Sequence, residues 1–407
     1  FAGIGLLPSD PMSKPEWRRW PWLSWCVVAA TLIGCQSIVA SGVSRPRLAV
    51  LLPMGHRDAE LRHNFLQGFR LGQASVEACG EPFPQVAWHG TNSGDAPDPQ
   101  LMPSTELKLL VAPPSADLRA FAAFADERDL TVLLPYQRGQ SLDTLRGLEG
   151  RERLWPLVPS RQEDLKAMVA AAMEAGWGRA MVVEDPSALE STSSKAFVEL
   201  FKAAGGIVES YEAQPVQRVD PSNNGRLQRF KDDMAWSWVP TVVVADAPNG
   251  PLSRELRAEQ QQGRFGGGAP QAPNWIWLTE AEDLQDAPAV PWQQLGLQHP
   301  ARGAAWAEFQ QDFQQSTGKA PSLLAGAGFD AARLLALADA APLPLSADGG
   351  IDAMGWLDPD QKEVVPICQA FDQRRRGERL RLKAVASDSR FRAGLAPSGQ
   401  AMAGLIE

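Results

Sequence analysis

From Arg47 onward, apolar runs alternate with segments of helical period. Leu48-Ala49-Val50-Leu51-Leu52 contains no polar position, the pattern of a strand buried on both faces of a parallel sheet, and Pro53-Met54-Gly55 ends it. Residues 60–78 then place Leu61, Phe65, Phe69 and Gly72 at helical spacing, with Gly80 as the stop. The alternation predicts strands at 86–89, 107–112, 131–135, 154–159, 180–184, 207–213, 241–245 and 275–278. Helices are predicted at 115–128, 162–175, 191–204, 226–236 and 252–261. Ser160 has the place of an N-cap, with Glu163 three residues on as its capping-box partner. Strands joined by helices favour right-handed crossovers and a layered α/β architecture with mainly parallel sheets.

The last third is less regular. Residues 263–274 and 283–300 read as irregular connections, 304–316 and 329–341 as helices, and 356–360 with 364–371 as a β-hairpin. Arg374-Arg375-Arg376 reads as a solvated turn, and residues 390–407 as a loose tail.

The first 46 residues follow a different rule. Lys14, Arg18 and Arg19 precede an apolar run from Trp20 to Gly34, which is shorter than the roughly 20 residues of a bilayer span. Leu32-Ile33-Gly34-Cys35 resembles the lipobox of bacterial lipoproteins, which implies cleavage before Cys35 and lipidation of that residue. On this reading residues 1–11 are an extension upstream of a start at Met12, 12–34 a signal peptide and 35–46 a tether. An uncleaved anchor is the alternative. Both put the body outside the cytoplasm, in the periplasm, with inner or outer membrane left open. Residues 1–34 carry three basic and two acidic side chains, so removing them takes the net charge from −9 to −10. An acidic body offers no footprint for nucleic acid. Cys79 and Cys368 remain at opposite ends of the body; two buried unpaired thiols are expected, and a bridge stays open.

The order of elements resembles the type I periplasmic binding proteins, in particular the branched-chain amino acid and amide branch of ABC transporters, the leucine-binding-protein-like lipoproteins. Leu48 to Pro53 with Phe65-Leu66-Gln67-Gly68-Phe69-Arg70-Leu71 is similar to that family's opening strand and first helix. Leu154-Trp155-Pro156-Leu157-Val158-Pro159-Ser160 is similar to its crossover, and Gly328-Phe329-Asp330-Ala331-Ala332 to its aromatic-Asp-Ala helix start. The resemblance covers about residues 45–385 and implies two lobes, 45–150 plus about 281–345 and 151–280 plus about 346–389. Two departures stand out. Residues 92–105 are a proline-containing linker where the family has a full helix, and Pro135-Tyr136-Gln137-Arg138 is bulky where it has small residues.

Open α/β sheets bind ligands at the carboxyl ends of their strands. Those loops hold the candidate ligand residues Arg57, Ser115, Tyr136, Arg138, Asp185, Asp246 and Glu280. Ser115 matches a hydroxyl position that the resemblance assigns to carboxylate binding, and its place also suits a helix N-cap. Arg57 and Arg138 have the fork for a carboxylate, Tyr136 a ring for stacking, and the acids a charge for an amine. His56, His63, His89 and His299 form no metal spacing, and there is no nucleophile elbow. Gly326 to Ala331 fits GxGxxA, but no strand precedes it; its glycines suit close helix packing.

The expectation is a non-enzymatic, cofactor-free solute-binding lipoprotein that captures a small polar ligand of the amino acid or amide class and delivers it to an ABC permease. The alternative is a docking lipoprotein of the same fold that activates a peptidoglycan synthase, making a cell-wall synthase its partner.

Overall fold

The computed structural model describes residues 48–55, 59–91, 96–97, 107–114, 116–137, 142–265, 273–279, 289–298, 303–340, 356–386 and 402–406. The lipidation position Cys35, the signal segment and nearly all of the 92–105 linker lie outside the described residues.

The first sheet is wholly parallel, in the order β2(Val86–Thr91), β1(Leu48–Pro53), β3(Leu109–Val111), β4(Thr131–Leu134), β5(Leu154–Pro156). Strands β1, β3, β4 and β5 are buried on both faces, as their apolar runs require, while the edge strand β2 is partly exposed. Leu48, Val50, Leu109, Val111 and Leu133 enter one core, and Ala49, Leu51, Leu110, Val132 and Leu134 the other. Helix α1(Ala59–Glu77) buries Phe65, Gly68, Phe69, Gly72 and Val76 on one face. Helix α2(Leu118–Arg128) buries Leu118, Phe121, Ala122, Phe124 and Ala125.

The second sheet runs β12(Met402–Ile406), β11(Gln294–Gln298), β10(Asn274–Trp277), β9(Thr241–Ala245), β6(Arg179–Glu184), β7(Ile207–Glu209), with β8(Val216–Arg218) also on β6. All pairs are parallel except β11 with β12. Helix α3(Arg161–Glu174) leads from β5 of the first sheet into β6, and α4(Ser194–Ala203), α5(Asn224–Ala235) and α6(Pro251–Gln261) join β6 to β7, β8 to β9 and β9 to β10. Ser160 caps α3 as expected, accepting the Glu163 amide at 3.4 Å. Trp275 and Trp277 are core residues of this sheet, their indole N–H groups donating to Gln260 and Gln294. Among the described residues no helix is long and apolar enough to cross a membrane.

The C-terminal third departs most from expectation. Residues 294–298, read as connection and placed with the first lobe, form β11 of the second sheet; its alternating leucines were hidden by flanking prolines. The expected tail contributes β12, an apolar five-residue run that covers the sheet edge. The single strand at 207–213 is two short ones, β7 and β8. After α7(Gly303–Thr317), α8(Leu323–Asp339) starts six residues earlier than read, because Ser322 caps it on the Ala325 amide.

The predicted hairpin is absent. Val365 bridges Leu382 and Leu357 bridges Leu380, both parallel, while Ile367–Arg375 is helix α9, since Ile367, Ala370, Phe371 and Arg374 recur at helical spacing. This segment, placed with the second lobe from sequence, packs into the core of the first sheet beside α1 and α8. It is tied there twice. Cys79, just past α1, is bonded to Cys368 of α9 with Cα atoms 5.2 Å apart, which corrects the expectation of free thiols. Asp330 of α8, wholly buried, accepts the Val385 amide at 3.0 Å and the Ala386 amide at 2.8 Å. Its neighbour Arg333 donates to Lys383 O at 2.8 Å.

α1 and α8 meet through glycine. A Cβ on Gly68 would stand 1.8 Å from Ala325 O, and one on Gly328 2.3 Å from Phe65 O. The GxGxxA stretch is therefore a packing surface inside a helix, where no phosphate-binding turn exists.

Candidate functional site

The carboxyl ends of β6, β9 and β10 sit side by side in the second sheet. Glu184 pairs in register with Ala245, so the residues that follow, Asp185 and Asp246, lie on adjacent strand ends; the Asp185 amide donates to Ala245 O at 3.3 Å. Both carboxylates are buried. Asp185 Oδ1 accepts the Ser187 amide at 2.8 Å and its hydroxyl at 2.6 Å, an Asx turn that fixes the loop. Asp246 Oδ2 accepts the Ser253 amide at 2.8 Å and so serves the N-terminus of α6. Burial, with the nearby Asp185 charge adding to it, holds the Asp246 carboxyl above the usual carboxylate range despite the amides of Ser253 and Ala247. The loop closes tightly over this group: a Cβ on Gly250 would meet Asp246 Oδ1 at 2.0 Å.

Sequence reasoning missed the residue that gathers these ends. Arg161, first in α3, donates to Leu278 O at 2.7 Å, to Thr279 O at 3.3 Å and to Ser193 Oγ at 3.0 Å. It thereby ties the crossover helix to the end of β10 and to the turn before α4. An arginine directly after a helix cap was the available signal. Two hydroxyls at this end, Thr279 Oγ1 and Ser194 Oγ, are buried without a hydrogen-bond partner among the described residues. Arg218 of β8 reaches Glu184 Oε1 at 3.0 Å and closes the edge.

In the first sheet, Tyr136 follows β4 and is half-buried against the core. Met54 follows β1 and is exposed, its amide donating to Thr91 O at 2.8 Å. Arg57, Ser115, Arg138 and Glu280 lie outside the described residues. The N-cap of α2 is Asp117, which accepts the Arg119 and Ala120 amides, so the capping role anticipated for Ser115 belongs two residues on. Of the seven anticipated ligand residues, the structure brings together Asp185 and Asp246 and puts Tyr136 at a strand end of the other sheet. Among the described residues no group of three His, Cys, Asp or Glu side chains is placed to hold a metal ion. A concavity of about 370 Å³ along α7, lined by Ala307, Gln310, Gln311, Gln314 and Gln315, includes none of these strand-end residues.

No protein-family model matches the chain, and no curated protein matches it by sequence. Solved structures do match. A branched-chain amino acid ABC transporter periplasmic ligand-binding protein from Burkholderia xenovorans LB400 aligns with TM-score 0.54 and 13% identity over 89% of this chain and 95% of its own. The chain has the two-lobed type I periplasmic-binding-protein fold. A leucine-binding protein from Thermotoga maritima aligns with TM-score 0.50 and 15% identity, covering 84% of this chain and 89% of that one. An ABC transporter solute-binding protein of R. palustris, in complex with benzoate, gives TM-score 0.50 and 16% identity over 72% and 79%. In this fold each α/β sheet forms one lobe.

Proposed function

We propose that the chain is a non-enzymatic, extracytoplasmic solute-binding protein of an ABC importer, which captures one small polar solute between its lobes and hands it to a membrane permease. The correspondence with such proteins over nearly the full length of both chains carries this reading. The Cys79–Cys368 bond supports an oxidising compartment, as in the periplasm. The lipobox-like Leu32 to Cys35 supports a lipid anchor at Cys35.

The proposed ligand class is an amino acid or amide. Its ammonium or amide nitrogen would face Asp246 and Asp185, while the buried hydroxyls of Thr279 and Ser194 offer free hydrogen-bonding capacity. Tyr136, with Arg57, Ser115 and Arg138, is the proposed counterpart from the first lobe, and Glu280 completes the second. Affinity then comes from stabilising the closed state, which requires contact with both lobes.

A thermal-shift screen of amino acids, amides and small aromatic carboxylates tests this, because a ligand of the folded state adds RT ln(1 + [L]/Kd) to stability. A saturable rise with an amino acid or amide supports the reading. A rise with an aromatic carboxylate alone changes the ligand class. No rise with any of them, together with co-purification of a cell-wall synthase, replaces it with the docking role.

A further inference from the structure

Two tryptophans beside the second sheet stand in water. Trp236 is 85% exposed and Trp238 70%, whereas Trp275 and Trp277 of β10 are fully buried with their indole N–H groups bonded. Large apolar rings so exposed are unusual on a folded chain. They flank Ser237 in the turn between α5 and β9, and that turn is fixed: the Ser237 amide donates to Met234 O at 3.1 Å, and Ser237 Oγ accepts the Val239 amide at 3.0 Å. Tyr211 joins them, half-exposed, its hydroxyl 3.9 Å from Met234 Sδ and bonded to the Ser237 side chain. Among the described residues neither Trp236 nor Trp238 has a ring, cation or hydrogen-bond partner, so ring face and indole N–H are left for a ligand.

Size and charge select the occupant. At about 150–250 Å² per aromatic residue, the exposed parts of Trp236, Trp238 and Tyr211 come to about 300–500 Å². A second copy or another protein needs about 800 Å² from each side. An anionic membrane surface needs a basic cluster. On α5, however, Arg226 pairs with Glu212 and Lys231 with Glu255 and Glu259, which leaves Arg229. The charges that act on Tyr211 are the acids Asp233 and Glu209, and Asp233 is exposed. A small aromatic surface bordered by carboxylates matches a neutral sugar chain. The C–H face of a pyranose lies against an indole ring, while its hydroxyls donate to carboxylates and accept from indole N–H groups.

We propose that Trp236 and Trp238, with Tyr211 and Asp233 beside them, form a binding site for a neutral oligosaccharide. The site precedes β9, at the opposite end of that strand from Asp246, so it is separate from the strand ends assigned to the solute. It does not rest on the solute-transport reading.

The test is calorimetric titration of the full chain with cellohexaose, N-acetylchitohexaose and maltohexaose, repeated on the double variant Trp236→Ala with Trp238→Ala. At least one oligosaccharide binds saturably, and the double variant weakens it about tenfold or more. The melting temperature of the double variant stays as it was, because both rings lie outside the core. No saturable heat with any of the three, or equal affinity in the double variant, overturns the proposal. If the chain binds no oligosaccharide and the double variant instead abolishes a dimer in sedimentation equilibrium, or binding to phosphatidylglycerol vesicles, the occupant is a second copy or a membrane.

Discussion

The buried carboxylate of Asp330 makes a pH prediction that can be worked through. It accepts the amides of Val385 and Ala386, and Arg333 Nη1 stands 3.7 Å away. The other charge next to this segment, Lys383, is engaged with Glu308 at 2.8 Å. Burial outweighs Arg333 and the two amides, and the Asp330 pKa is pushed up from 3.8 to about 6. A raised acid binds its proton more tightly in the folded chain than in the unfolded one. Its contribution to stability is therefore fully present below pH 3.8 and lost as pH rises through about 6. At about 1.36 kcal/mol per pH unit, that contribution amounts to about 3 kcal/mol.

Asparagine at this position is close in shape and does not titrate. Asp330→Asn carries the charge of the protonated acid at every pH, so it is expected to lie within about 1–2 kcal/mol of the unsubstituted chain at pH 4, where Asp330 is itself neutral. On going from pH 4 to pH 7 the unsubstituted chain should lose about 2–3 kcal/mol relative to the variant. Urea unfolding of both chains at pH 4, 5, 6 and 7 measures the gap while other titrations cancel. A difference that stays constant, or that shifts in favour of the unsubstituted chain as pH rises, refutes the reasoning.

Three further substitutions probe the frame around the site. Cys79→Ser with Cys368→Ser, or reduction of the bond, should cost about 2–5 kcal/mol in urea melts, because the bond closes a loop across 289 positions of sequence. Gly68→Val should cost about 3 kcal/mol or more and lower the melting temperature, since even a Cβ there would overlap Ala325 O; an unchanged melt would contradict the α1–α8 contact. Asp246→Ala should cost about 1–2 kcal/mol through loss of its bond to the Ser253 amide. The same variant should weaken ligand binding by more than its stability loss explains, as read by calorimetric titration.

How much was legible before the structure depended on the range of the signal. The unbroken runs Leu48–Pro53 and Thr241–Ala245 announced strands buried on both faces, and Ser160 announced its helix, because each pattern is local. Gly328 was readable as a packing glycine, although its contact with Phe65 lies far away along the chain. Val364 to Phe371 misled because β-type residues surround a helical spacing that begins at Pro366. The Cys79–Cys368 bond was hidden because nothing near either cysteine reports that α9 folds back beside α1. Asp185 and Asp246 could be placed at neighbouring strand ends because each follows an apolar run; the ties of Arg161 were not legible because its partners, at Ser193, Leu278 and Thr279, are distant in sequence.

The central claim is capture of a solute by closure of two lobes, and small-angle X-ray scattering with and without the most stabilising solute tests it most directly. The account predicts a smaller radius of gyration at saturation, with a midpoint matching that of the thermal shift. An unchanged scattering curve at saturating solute would contradict it.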